Sequence, residues 1–178
     1  MPSKRALAAL LLTAWCLCGG GSRAALAEDL SLGQPAPPLT LHSLDGRVIP
    51  LDSLRGRVVI LAFWATWCAP CQQELPLLSA YAARHAAQGL TVLGFSLDGA
   101  ATLPRVRRMA AGLSFPVGLL GSAWAGGYGR MWRLPVSFVI DRHGVLRYDG
   151  WDDDEAQAGW TQPRLDRIVG PLLEAAAR

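Results

Sequence analysis

Lysine is absent after position 4 and cysteine after position 71. Of the four cysteines, Cys16 and Cys18 lie in an N-terminal apolar run, so only Cys68 and Cys71 remain in the body of the chain. One closely spaced pair is too little for a disulfide-laced scaffold. It is also too little for a structural zinc site, which takes four ligands, because His42, His85 and His143 are scattered. Excess charge is missing as well. Beyond residue 27, 14 Arg face 14 Asp and Glu, and the net charge of +3 comes from Lys4, Arg5 and Arg23. No basic patch with interleaved aromatics appears, which argues against a nucleic-acid partner. Repeats and low-complexity linkers are also lacking, so the chain after residue 27 reads as one domain. No apolar run reaches the roughly 20 residues of a spanning helix.

The N-terminus carries an address. Lys4 and Arg5 precede a thirteen-residue apolar run, Ala6 to Cys18, broken only by Thr13, and Ala25-Leu26-Ala27 forms an A-x-A cleavage site. The expectation is a signal peptide over residues 1–27, a domain over 28–178, and a periplasmic or other extracytoplasmic location. Retention of the segment as a membrane anchor is the alternative. Lipid attachment at Cys16 or Cys18 is disfavoured by the bulky Trp15 and Leu17 before them.

The remainder alternates strand and helix signals. Leu30–Pro38 is rich in proline and glycine and reads as an irregular arm. Leu39–His42 and Val48-Ile49 flank Asp45-Gly46, a hairpin signal, and Leu51–Arg57 is a link with one helical turn capped by Asp52 or Ser53. Val58–Trp64 is seven apolar residues in a row, a central strand covered on both faces. A helix is expected from Ala69 to about Gln88, stopped at Gly89 and kinked at Pro76, and then a strand over Leu90–Ser96. That is a βαβ unit. Further helices are predicted over Thr102–Ala111, with Arg105, Arg107 and Arg108 outward, and over Ser122–Trp132. Phe115–Leu120 reads as a strand, and Val136–Ile140 with Val145–Tyr148 as a hairpin. Trp151–Glu155 reads as an exposed acidic loop, before a last helix with Thr161 as N-cap and a kink at Pro171. The fold class is α/β.

The chemistry concentrates in Trp67-Cys68-Ala69-Pro70-Cys71, at the join of the central strand and the first helix. A thiol reacts as thiolate, and an ordinary cysteine near pKa ~8.5 is mostly protonated at neutral pH. At a helix start, unpaired N–H groups and the macrodipole favour the anion. Two intervening residues bring Cys71 near enough to close a disulfide with Cys68, one turn deeper and shielded. Cys68 is then the attacking thiol and Cys71 the resolving one. Pro70 stiffens the first turn, where its missing N–H is tolerated. A haem-attachment site needs His directly after the second cysteine, and Gln72 stands there. A purely structural disulfide closing so short a loop removes little chain entropy.

Phe63-Trp64-Ala65-Thr66-Trp67-Cys68-Ala69-Pro70-Cys71 with Glu74-Leu75-Pro76 resembles the thioredoxin superfamily, within it the exported TlpA/ResA-like thiol–disulfide oxidoreductases. Gly33–Pro37, Leu44-Asp45-Gly46 and Leu134–Asp141 with Gly144 are similar to that branch too. The resemblance implies a thioredoxin-like fold: a central mixed sheet flanked by helices, an N-terminal β-hairpin extension and a βα insertion within Asp98–Trp132. It implies that Pro135 is cis and lies against the thiols, with Leu134 offering backbone to an extended substrate and Trp67, Ala69 and Pro70 bordering it. A buried acid that thioredoxins carry six residues before the first cysteine is replaced by Ala62. Glu74 matches a glutamate of the branch and is the candidate base or proton shuttle for Cys71, the alternative being a solvated helix carboxylate.

The implied activity is an exported reductant of specific protein disulfides, with apocytochrome c or copper-site cysteines as substrates, a membrane thiol donor of the DsbD/CcdA type, and no cofactor or metal. Three alternatives differ from it. An oxidant runs the same cycle in the other direction. A thiol peroxidase of the peroxiredoxin type needs Thr three residues before its cysteine, where Ala65 stands. A copper carrier needs wider cysteine spacing and a dedicated His. Trp64 is expected in the core, and Trp124, Trp132, Trp151 and Trp160 are too scattered to assign a role.

Overall fold

The computed structural model describes residues 30–153, 155 and 159–175; the expected signal segment and cleavage site lie outside them. Element order follows the hydrophobic pattern. Strands β1 (Thr40–His42) and β2 (Val48–Pro50) form an antiparallel hairpin. Strand β3 (Val58–Trp64) leads into helix α1 (Ala69–His85), and β4 (Leu90–Ser96) returns parallel to β3, completing the βαβ unit. Helix α2 (Leu103–Ala110), β5 (Val117–Leu119), β6 (Val136–Ile140), β7 (Leu146–Asp149), α3 (Gln162–Ile168) and α4 (Gly170–Glu174) follow.

Among the described residues the main sheet has the order β5-β4-β3-β6-β7, with β5, β4 and β3 parallel and β6 and β7 antiparallel to their neighbours. β3 is central, and its seven residues are all buried because both faces of the sheet are covered. Val58, Ile60, Ala62 and Trp64 face the helices, packing with Leu75, Leu78 and Tyr81 of α1, Val106 of α2, Leu165 of α3 and Leu173 of α4. Val59, Leu61 and Phe63 point the other way. There Phe63 stacks on Phe95 at 5.1 Å and meets Phe138 edge-on at 5.8 Å. This second face is closed by Leu41 of the hairpin, Leu51, and Ala125, Tyr128 and Met131 of the loop before β6. Each large side chain so buried contributes roughly 1.5–3 kcal/mol.

Irregular segments gain partners by docking on edges. The N-terminal arm lies along the start of β7: Gly33 N–H donates to Leu146 O, Leu146 N–H to Gln34 O and Ala36 N–H to Gly144 O, each at 2.9 Å. An edge that would otherwise invite pairing is thereby occupied. The hairpin covers β5, where Leu44 N–H donates to Val117 O at 2.7 Å. Gly118 permits this approach, because a Cβ there would lie 2.2 Å from His42 O.

Four local expectations are corrected. Ser122–Trp132 is not a helix; only Gly126–Tyr128 makes a 3-10 turn, since Gly126, Gly127 and Gly129 favour an open chain and Met131 N–H bonds Ala123 O instead. The 3-10 turn at Leu51–Leu54 has Pro50, not Asp52 or Ser53, at its N-cap; the Ser53 hydroxyl donates backward to Pro50 O. The last helix is two pieces, α3 and α4, divided at Val169 before Pro171, and Thr161 stands at the N-cap without a side-chain bond. The acidic loop is not simply exposed: Trp151 is half-buried, and Asp153 pairs with buried Arg164 at 2.5 Å. α1 ends as expected, through a 3-10 turn into Gly89 at φ +86°.

Candidate active site

Cys68 is the N-cap of α1, and Pro70 occupies the first turn. The two sulfurs are joined in a disulfide with Cα atoms 5.3 Å apart, and Cys71 N–H points at Cys68 Sγ at 3.2 Å. A helix-start donor on that sulfur is the arrangement that favours a thiolate there once the bond is reduced. Cys71 is fully buried, while 5 % of Cys68 remains exposed, at the wall of an open groove. Trp67, Ala69, Pro70 and Leu134, four of the five predicted substrate-contacting residues, line that groove with Cys68, and the fifth, Pro135, does not. The Leu134–Pro135 peptide is cis. Pro135 itself is buried beside Glu74 in a separate, small cavity.

The loop entering the cysteines is held by a residue that the motif reading did not single out. Asp98, two residues beyond the end of β4, is 4 % exposed. It accepts from Thr66 N–H at 2.7 Å, Thr66 Oγ1 at 2.6 Å, Ser96 Oγ at 2.7 Å and Thr102 Oγ1 at 3.2 Å. Burial works against its ionisation, but these donors outweigh it and hold the carboxyl below its ordinary range. Gln72 Nε2 donates to Thr66 O at 2.7 Å, closing the loop from the helix side. Asp98→Ala leaves several buried donors unpaired, at about 1–3 kcal/mol each. The expected result is an unfolding free energy, from urea titration at pH 7, lowered by about 2 kcal/mol or more. Because the folded carboxyl is depressed, the deficit relative to wild type shrinks as pH falls through the carboxylate range.

Glu74 is one turn beyond Cys71 on the same face of α1, and it is buried, not solvated. Its Oε2 accepts from Trp160 N–H at 2.9 Å, and Oε1 meets no donor among the described residues. Desolvation pushes its pKa from 4.5 up to about 7, only partly offset by the Trp160 amide and the positive charge of Arg164. Arg164 is itself buried, donating to Gly159 O at 2.9 Å and to Tyr148 Oη at 2.5 Å, with its guanidinium over the Trp160 ring. A carboxyl at this position exchanges protons near neutral pH, the range in which thiol chemistry needs an acid or base.

The AhpC/TSA family model matches residues 32–149. This chain belongs to the AhpC/TSA family. Within that family it is ResA-like. Thiol-disulfide oxidoreductase ResA of Bacillus thuringiensis (strain Al Hakam) is 33% identical over 120 residues, 67% of this chain and 69% of that protein. The ResA of one Bacillus cereus strain is 31% identical over 138 residues, 76% and 79% of the two chains. Among solved structures, the thiol:disulfide interchange protein of the thioredoxin family from Chlorobium tepidum TLS superposes with a TM-score of 0.65 at 28% identity, covering 81% of this chain and 99% of that one. The chain is thus a thiol–disulfide oxidoreductase of the thioredoxin superfamily.

Several residues of this ResA-like site went unassigned in the sequence. Met131, Trp132 and Arg133 line the groove together with Trp67. Their nearness to Pro135 in sequence was the available signal. Asp98 stands at the carboxyl end of a parallel strand, the end where α/β sheets build their sites. Trp160 and Arg164 reach Glu74 from the far end of the chain, and no local pattern announces them.

Proposed function

We propose that this oxidoreductase works as an extracytoplasmic reductant of protein disulfides. The observation that carries it is the asymmetry of the pair: Cys68 opens on the groove, and Cys71 lies buried behind it on the helix face that also carries Glu74. In the reduced protein the Cys68 thiolate attacks one sulfur of a substrate disulfide, forming a mixed disulfide and releasing the first substrate thiolate. Cys71, as thiolate, attacks Cys68 Sγ, the second substrate thiol leaves, and the Cys68–Cys71 disulfide remains. Two electrons pass to the substrate, and the two released thiolates take up the two protons lost by the cysteines. Glu74 accepts the Cys71 proton as that thiol becomes nucleophilic.

The direction is supported by the same carboxyl. When ionised it places negative charge near the thiols, opposes the thiolate, and leaves the reduced form less stabilised than in strong oxidants. By resemblance the substrates are apocytochrome c or copper-site cysteines and the electron donor a membrane thiol protein of the DsbD/CcdA type. The extracytoplasmic location is supported by the charged, apolar and A-x-A pattern of residues 1–27. The deciding measurement is the potential of the Cys68–Cys71 couple against glutathione or dithiothreitol buffers. A value near the roughly −270 mV of thioredoxin is expected, and one near −120 mV would make the protein an oxidant.

A further inference from the structure

Trp132 is 69 % exposed, yet it is fixed in place. Its ring stacks on Trp151 at 5.3 Å and 14°. Trp151 is anchored in turn, its Nε1 donating to Tyr128 O at 2.9 Å and its ring meeting core Phe138 edge-on at 6.1 Å. The Arg133 guanidinium lies 5.2 Å from the Trp132 ring centre and 5.5 Å from that of Trp151, and it donates to Gly150 O at 2.5 Å and Trp151 O at 2.8 Å. An indole so held has little side-chain entropy left to lose, and rigid aromatics of this kind supply binding energy at interfaces.

The same groove is lined by Trp67, 65 % exposed, beside the cysteine it precedes. The groove that both indoles line has a volume of about 310 Å³, with Cys68 and Leu134 among its lining residues. That is more room than the two sulfurs of a disulfide need, and apart from Arg133 its lining side chains are apolar or aromatic. The surface is continuous with the sulfur at which the reaction takes place, so its occupant is the chain that carries the target disulfide.

We propose that Trp132, braced by Trp151 and Arg133, is a specificity-determining residue that selects extended polypeptide segments with an aromatic side chain next to the target cysteine. Successive side chains of an extended segment alternate sides at about 3.3 Å per residue, so when the sulfur of the attacked cysteine faces Cys68 its immediate neighbours turn away from Cys68, toward groove lining supplied by other segments, Trp132 among them. The proposal rests on Cys68 being the attacking thiol.

The test uses pre-reduced full-length protein and two disulfide-linked peptides of equal length and charge, with Phe or Ser on both sides of the cysteine. Rate constants for peptide reduction are compared for wild type, Trp132→Ala and Trp132→Phe. Wild type is expected to favour the Phe-flanked peptide by about tenfold, Trp132→Ala to reduce that preference to below about twofold, and Trp132→Phe to recover most of it. Lack of a wild-type preference, or equal slowing of both peptides in Trp132→Ala, would overturn the proposal. Failure of wild type on both peptides would instead remove the attacking role of Cys68, and the proposal with it.

Discussion

Cys68→Ser should abolish reduction of a protein disulfide, whereas Cys71→Ser should stop halfway with the substrate bonded to Cys68. The asymmetry follows from burial. Cys71 is fully buried beneath the first turn of α1, so a substrate sulfur cannot reach it in line, and it is not able to replace Cys68 as the first nucleophile. Loss of a nucleophile without a substitute lowers turnover on the order of 10³-fold or more. In Cys71→Ser, Cys68 still sits at the helix start and still lines the groove, so the first exchange proceeds and the second has no attacking sulfur. Mass spectrometry after mixing with a disulfide peptide should find, in the peptide that spans the motif, one adduct mapping to Cys68. Steady-state assays with a reductant that regenerates the enzyme should find both variants inactive. An adduct on Cys71 in Cys68→Ser, or wild-type turnover in Cys71→Ser, would reverse the assigned roles.

The parts of this site that sequence made visible are those built by local rules. A seven-residue apolar run rich in β-branching is too short for a buried helix and reads as a strand buried on both faces, and Trp-Cys-Ala-Pro-Cys directly after it places the thiols on a helix start. The stop at Gly89 was legible because a left-handed residue after a helical pattern favours glycine. Hidden from it was whatever depends on chains meeting from a distance. The proline and glycine of the 30s arm announce only an irregular segment, yet its backbone bonds to β7 more than a hundred residues later. Asp98 looks like an ordinary strand-end residue until Thr66 is brought against it across 32 positions. Trp132 and Trp151 carry no shared pattern, and their stacking is a product of the loop and the edge strand meeting at one end of the sheet. The glycine-rich segment before them misled the helical expectation because apolar spacing alone does not register how easily glycine leaves a helix.

Glu74 shows both sides of this, since its position was visible and its environment was not. Its spacing from Cys71 puts the two side chains on one helix face, but spacing does not distinguish a solvated carboxylate from a buried one. Trp160 and Arg164 decide that, by covering it from α3 and the loop before it. Desolvation then holds the folded carboxyl near pH 7, whereas in the unfolded chain it titrates near 4.5. Between those values the folded state binds more protons than the unfolded state, so stability must fall as pH rises through that window. At about 1.4 kcal/mol per pH unit, the loss is up to roughly 3 kcal/mol by pH 7, and it is absent below the unfolded value. Urea unfolding of oxidised wild type between pH 4.5 and 7.5 should show this downward slope, set against any contribution from other groups, and Glu74→Gln should flatten it by the same amount. Gln keeps an oxygen to accept from Trp160 N–H, so the comparison isolates the proton. The kinetic counterpart is the resolving step. Release of a peptide preformed as a mixed disulfide on Cys68 should follow a pH profile with a limb near 7 in wild type, and Glu74→Gln should lose that limb and slow release at neutral pH by about tenfold or more, within the range for general base catalysis. A flattened stability slope with an unchanged release profile would leave Glu74 a buried carboxyl without a part in the exchange. Parallel slopes in both proteins would mean that Glu74 is not the group titrating near neutrality at all.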